Sequence, residues 1–324
     1  PEVFATFHSH EHWGRLLLES EETEIGEAIL QVMGSSRLGR LFAVMSGESE
    51  HDGKSIPPFL KEIVSSQLDV DRMDYLMRDE GNSGAQIGGF DVERVFRALR
   101  VGEDGHLFAM NWGQPAIEAY LVTRFHMYTQ VYFHKVNMLT QAYLTRLLVR
   151  SRILKQEGKL QLSRELNNML CNKSPTAAEY VGLTDSHILV ALPDWAAHDD
   201  QHLSEDAKRL LSRRGFHKSL RIDELSLEMV EKISESISEI ISSAGFDDSR
   251  DIIQATISKS GYKPYVEGIR LEDGRDMSEV SELVRSLTQP TERVLIFVPA
   301  EVRDECEAAA RALIKPKQAR LGEF

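Results

Sequence analysis

Cysteine is nearly absent. Only Cys171 and Cys306 occur among 324 residues, and no CxxC pair exists. That count argues against a disulfide framework or a cysteine-based zinc site and places the chain in a reducing, cytoplasmic compartment. Long apolar runs are missing as well. None approaches the roughly 20 residues that a membrane-crossing helix needs, so no membrane partner is expected. Positive charge is in deficit, with 38 Lys and Arg against 51 Asp and Glu and a formal net charge of -13. An acidic field excludes a protein that coats nucleic acid non-specifically, so nucleic acid is not indicated as a partner, but a local basic pocket for a phosphorylated small molecule remains compatible. The chain opens at Pro1 with neither methionine nor a signal-peptide pattern, and a segment before it is expected.

Helical spacing of apolar residues dominates the first half. Short stripes run over 14–19 and 24–34, a charged Gly/Pro-containing loop covers 46–58, and a helical pattern returns over 59–79. A glycine-rich linker at 81–89 and a short helix at 91–99 follow. A hairpin is expected from 100–101 and 106–110 around Glu103-Asp104-Gly105. Residues 116–155 read as one long helix or two joined ones, and 160–216 as helical and polar. Residues 227–241 form an amphipathic helix capped by Ser226. Beyond Gly245 the composition shifts, with strands expected at 262–271 and 293–298 and a helix at 301–314. The expected architecture is mainly α: a helical catalytic domain over 1–155, a helical extension over 156–245 and a small α+β appendage over 246–324.

Three segments carry chemistry-bearing residues. In QLDVDRMDYLMRD (67–79), Asp71, Tyr75 and Asp79 fall at i, i+4 and i+8 with Arg72 beside them. On a helix they share one face, where two carboxylates, a cation and a phenol could hold a metal and a hydroxylated, phosphorylated ligand. The alternative is a solvated charged face. In YLVTRFHMYTQVYFHK (120–135), Arg124, Tyr128 and Tyr132 repeat that spacing. A guanidinium bonds phosphate oxygens bidentately and phenol rings pack on sugars; an aromatic helix–helix contact is the structural alternative. The third segment is His8-Ser9-His10-Glu11-His12, where a histidine next to a glutamate suits acid/base work and surface histidines are the plainer reading.

Together these segments resemble the HD-domain deoxynucleoside triphosphate triphosphohydrolases, the family of bacterial dGTPases and the vertebrate SAM- and HD-domain dNTPase. The strongest matches are LDVDRMDYLMRD at 68–79 and RFHMYTQVYFHK at 124–135. Weaker ones are FHSHEHW at 7–13, GGFDVERVFRALRV at 88–101 and SGYKPY at 260–265. The resemblance implies an HD-domain helical bundle and the hydrolysis of a deoxynucleoside triphosphate to deoxynucleoside and tripolyphosphate. It also implies a divalent metal (Mn, Mg or Fe) and a homo-oligomer. By the same resemblance Asp71 is a metal ligand, and Arg72 and Arg124 contact the triphosphate. Tyr75 and Asp79 lie at the deoxyribose, with Asp79 accepting the 3′-hydroxyl, and Tyr132 packs against the sugar. His10 and Glu11 form the pair that protonates the leaving group.

One departure stands out. The family's metal site also needs an earlier histidine and a His-Asp doublet. The two doublets present, His51-Asp52 and His198-Asp199, lie in a charged loop and after the motif they should precede. The missing ligands are expected before Pro1 or on a second polypeptide. The alternatives are an HD phosphohydrolase or nuclease acting on another nucleotide or on single-stranded DNA, and a catalytically silent nucleotide-sensing or assembly module.

Overall fold

The structure, a computed structural model, describes residues 10–85, 87–222, 227–265 and 268–314. In chain order the first elements are α1 (His10–Glu19), α2 (Glu24–Ser46), β1 (Glu50–His51), β2 (Lys54–Ser55), α3 (Pro58–Val64), α4 (Val70–Ser83) and α5 (Val92–Ala98). Next come β3 (Leu99–Val101), β4 (Leu107–Ala109) and α6 (Gln114–Met127), a π-helical turn (Tyr128–Tyr132), and α7 (Lys135–Gln156). Then follow α8 (Arg164–Cys171), α9 (Ala177–Gly182), α10 (Asp185–Ala196), α11 (Gln201–Ser212), β5 (Lys218–Ser219), α12 (Leu227–Ser243) and α13 (Asp248–Asp251). The last elements are β6 (Ile253–Ser260), α14 (Met277–Val280), α15 (Glu282–Ser286), β7 (Pro290–Val298) and α16 (Arg303–Ile314). The chain is therefore mainly α. Among the described residues no helix is long and apolar enough to cross a membrane.

Two compact units interleave along the sequence. One combines 1–13, 135–258 and 292–324; the other combines 14–134 and 259–291. The boundaries expected at 155 and 245 both fall inside the first unit. Residues 246–324, expected as one α+β region, are shared between the two units. The reason is visible in the second unit's core, where Tyr262, Ile269, Leu271, Met277, Val284 and Leu287 pack with Met73, Leu76, Ile117 and Tyr120. Burying each such side chain contributes about 1.5–3 kcal/mol, enough to hold a segment distant in sequence.

In the first unit β7 is the central strand of a three-stranded sheet in the order β5-β7-β6, and β5 pairs with it antiparallel. The isoleucine face of α12 (Ile233, Ile237, Ile241) packs with Val294, Ile296 and Val298 of β7 and with Cys306 and Ala310 of α16. Ser226, the expected cap of α12, lies outside the described residues. The strand expected at 262–271 is found instead at 253–260. Tyr262, Ile269 and Leu271 are apolar because they enter the second unit's core as a clasp, and the β pairing here is limited to isolated bridges, Leu271 with Ala109 and Arg270 with Asp276.

The second unit departs from the expected spans in three places. α2 runs past residue 34 through a kink, where Gly34 adopts φ 73°, a conformation that a side chain would strain. The loop at 46–58 contains the small β1–β2 hairpin, with Glu50 opposite Ser55. The helical run expected over 59–79 is two helices, because Asp69 interrupts it. Its backbone is extended, and its carboxylate accepts the Arg72 backbone N–H at 2.7 Å, which starts α4 at Val70. The expected hairpin is present as β3 and β4, with Arg100 opposite Phe108.

Candidate functional site

Apart from His10 and Glu11, which fall in the first unit, the candidate residues belong to the second unit and sit on two segments that run side by side. Gln67, just before α4, meets Arg124 of α6; Tyr75 meets Tyr128; Asp79 meets Tyr132. Residue numbers rise together on both sides, so α4 and the α6–π turn segment are parallel. The i, i+4, i+8 repeat read in each segment is the footprint of this pairing.

At the tyrosine end, the Tyr132 hydroxyl donates to Asp79 Oδ2 at 2.7 Å, and the Tyr75 and Tyr128 hydroxyls lie 3.0 Å apart. The Tyr75 and Tyr132 rings meet edge-on with centroids 6.1 Å apart, and those of Tyr128 and Tyr132 do so at 5.1 Å. Burial lifts the Tyr75 phenol well above its usual range, and the bond to Tyr128 adds to the rise. Tyr132 is lifted too, first by burial and then by the Asp79 carboxylate. Both phenols therefore stay protonated and able to donate near neutral pH. The π-helical turn, closed by the Phe133 N–H on the Tyr128 carbonyl at 2.9 Å, places Tyr128 and Tyr132 together on α4. Such turns inside helical runs recur at ligand sites.

At the other end lie the cations. Arg124 is only 6% exposed, and its Nη1 donates to Gln67 Oε1 at 3.0 Å. Among the described residues no carboxylate pairs with it. Arg72 folds back over the start of α4, its guanidinium donating to the Ser66 carbonyl and to Asp69. Asp69 is buried, and that burial raises its pKa against the opposing bonds from the Arg72 and Ser66 N–H groups. The charges of Arg72 and Arg124 both bear on Tyr75. Tyr120 lies behind them, fully buried. Its hydroxyl stands beside Arg124 without meeting hydrogen-bond geometry, and burial pushes its pKa up to about 12.

Asp71 sits exposed in the first turn of α4, where the helix dipole favours a carboxylate. His10 opens α1, but the side chains of His10 and Glu11 lie outside the described residues. The two His-Asp doublets have structural uses: His51 is 3.5 Å from Asp52 within the β1–β2 hairpin, and His198 accepts the Asp200 N–H at 2.9 Å. Gln67, Asp69 and Tyr120 are site residues that the sequence patterns did not assign, whereas Tyr128 stood in the spacing but received no role. Of the first three only Asp69 carried a usable signal, as a capping residue three before Arg72.

Residues 90–321 match the sequence profile described as the HD associated region. The chain belongs to the HD-associated-region family. Among curated relatives, the uncharacterized protein YwfO of Bacillus subtilis is 36% identical over 155 residues, covering 48% of this chain and 36% of the relative. An uncharacterized protein of Methanocaldococcus jannaschii is 32% identical over 111 residues, covering 33% and 24%. The matched segments thus span little more than a third of these relatives at most. Among solved structures, a phosphohydrolase from Bacteroides thetaiotaomicron superposes with a TM-score of 0.67 at 24% identity, covering 89% of this chain and 75% of its own. A hypothetical protein from Aquifex aeolicus gives 0.63 at 26% identity, covering 93% and 75%. This chain thereby shares its fold with both solved proteins.

Proposed function

We propose that the parallel pair of α4 and the α6–π turn segment binds a deoxynucleoside triphosphate, and that this HD-associated-region protein belongs to a phosphohydrolase releasing deoxynucleoside and tripolyphosphate. The observation that carries the reading is the order of polar groups along the paired segments. Tyrosine hydroxyls and Asp79 stand at one end and two guanidiniums at the other, as a sugar joined to a phosphate chain requires. Arg124 and Arg72 would neutralise the phosphates. Asp79, which accepts from Tyr132, would accept the 3′-hydroxyl in its place, and the freed Tyr132 ring would pack against the sugar and crowd a 2′-hydroxyl. The name of the Bacteroides thetaiotaomicron neighbour is consistent with phosphate-ester chemistry.

The divalent metal implied by the resemblance does not fit the residues described. A catalytic metal takes about three protein donors, and among the described residues no three His, Cys, Asp or Glu side chains converge. Asp71 supplies one carboxylate and no more. What these residues do by themselves is bind and orient; hydrolysis needs further donors. For His10 and Glu11 the resemblance alone implies a role, protonation of the departing 5′-oxygen. A His10→Ala variant that binds nucleotide normally but loses turnover would support that role.

The test is product analysis with manganese and separate deoxynucleotide, ribonucleotide and oligonucleotide substrates. Tripolyphosphate release from the deoxynucleotide alone supports the reading; release of single nucleotides from oligonucleotide would replace it with a nuclease. The incomplete donor set favours a second reading, a nucleotide sensor. Calorimetric binding without any phosphate release would select it.

A further inference from the structure

Gln67 is among the most buried polar residues in the second unit, 4% exposed, and both ends of its amide are used. Oε1 accepts from Arg124 Nη1 at 3.0 Å, and Nε2 donates to the Lys263 carbonyl at 3.2 Å. The orientation of the amide is fixed by its partners, since a guanidinium can only donate and a carbonyl can only accept. The Lys263 carbonyl is itself held in place. The neighbouring Tyr262 is fully buried, accepts the Ile269 N–H at 2.6 Å and donates to Asp276 at 3.1 Å. Asp276 also accepts the Tyr265 N–H at 3.1 Å and the Ser278 N–H at 2.8 Å. Gly268 lets this clasp close, because a Cβ there would come within 1.9 Å of Asp276 Oδ2 and 2.5 Å of the Tyr265 nitrogen.

A buried cation is ordinarily paired with a carboxylate. Here the partner is a neutral amide, which orients the guanidinium without cancelling its charge. We propose that Gln67 is a positioning residue: it aims Arg124 at the ligand's phosphates and leaves its full charge for them, while the 259–291 clasp sets its register through the Lys263 carbonyl. This rests on the reading of Arg124 as a phosphate ligand.

The test uses the full chain and inorganic tripolyphosphate as the probe, with affinities from calorimetry and folding checked by thermal melts. Gln67→Glu neutralises Arg124 and lowers affinity about tenfold, and Gln67→Leu lowers it by a similar factor by releasing the guanidinium. In an Arg124→Ala background neither change has any further effect, because Gln67 acts through Arg124. A merely structural glutamine would lower the melting temperature and leave the affinity unchanged, or lower the affinity equally in both backgrounds; either result overturns the proposal. Should Gln67→Leu fail to fold, Gln67→Glu and its double variant decide alone. If Arg124→Ala binds tripolyphosphate as the unaltered chain does, or if the unaltered chain binds none, the phosphate reading falls and takes this inference with it. If Arg124→Ala weakens binding while the Gln67 variants do not, only the inference about Gln67 falls.

Discussion

Removing the Tyr132 hydroxyl isolates the bond that ties the π-helical turn to α4. The donor is a neutral phenol and the acceptor a carboxylate at 2.7 Å, a class of bond worth about 1.5–3 kcal/mol net. Both groups are only partly buried, so solvent competes, and the expected coupling is nearer about 1–2 kcal/mol. Tyr132→Phe keeps the ring contacts with Tyr75 and Tyr128 and deletes the donor alone. Asp79→Asn deletes the charge. A double-mutant cycle over these two changes, read by hydrogen exchange of the α4 amides, isolates the pair from other effects of each substitution. The single variants should each open α4 more readily, and the double variant should be little worse than either. Additive losses, with a coupling below about 0.3 kcal/mol, would mean that the two groups only happen to be neighbours and that the turn is held by ring packing.

Leu76 is fully buried in the second unit's core, and Leu76→Ala should cost about 2–5 kcal/mol, measured as a lowered urea midpoint; a loss under 1 kcal/mol would contradict the packing. In the first unit, Arg150 holds both oxygens of Asp200, at 2.5 and 3.1 Å. That hydrogen-bonded pairing lowers the Asp200 pKa from 3.8 to about 2. A depressed carboxylate stabilises the fold above its unfolded pKa, so this contribution, about 1–2 kcal/mol after screening, is present above pH about 4 and fades as pH falls towards 2. Asp200→Asn should destabilise at pH 7 and flatten that part of the acid limb; an unchanged limb would refute the pairing. Arg124→Ala should raise KM for a deoxynucleoside triphosphate more than it lowers kcat, and the reverse split would place Arg124 in the chemical step.

The sequence made one feature plain and concealed others, for physical reasons. Helical spacing alone placed Tyr75 and Asp79 on one face and Arg124, Tyr128 and Tyr132 on another, and those are the two faces that meet. Spacing could not say that Gln67 lies outside α4, because Gln67 and Leu68 suit a helix as well as a loop and only the Asp69 cap decides. The π-helical turn has no letter signature. The bond from Gln67 to Lys263 joins residues 196 apart, beyond any local pattern, and the same holds for the interleaving of the two units. Residues 262–271 misled because apolar letters report burial, and burial in a clasp reads the same as burial in a strand. Arg72 is subtler. Its charge was expected at the phosphates, yet its guanidinium closes the start of α4 on Ser66 and Asp69, and ligand binding would have to draw it away.

The proposed function requires a deoxyribose seated between Asp79 and the tyrosines with its phosphates on Arg124. Equilibrium binding of a 2′-deoxynucleoside triphosphate and of its 2′,3′-dideoxy counterpart, to the unaltered chain and to Asp79→Asn, tests that seating most directly. The unaltered chain should prefer the ligand with a 3′-hydroxyl by roughly tenfold, and Asp79→Asn should erase most of that preference. Equal affinity for both ligands in both proteins would contradict the seating and the function drawn from it.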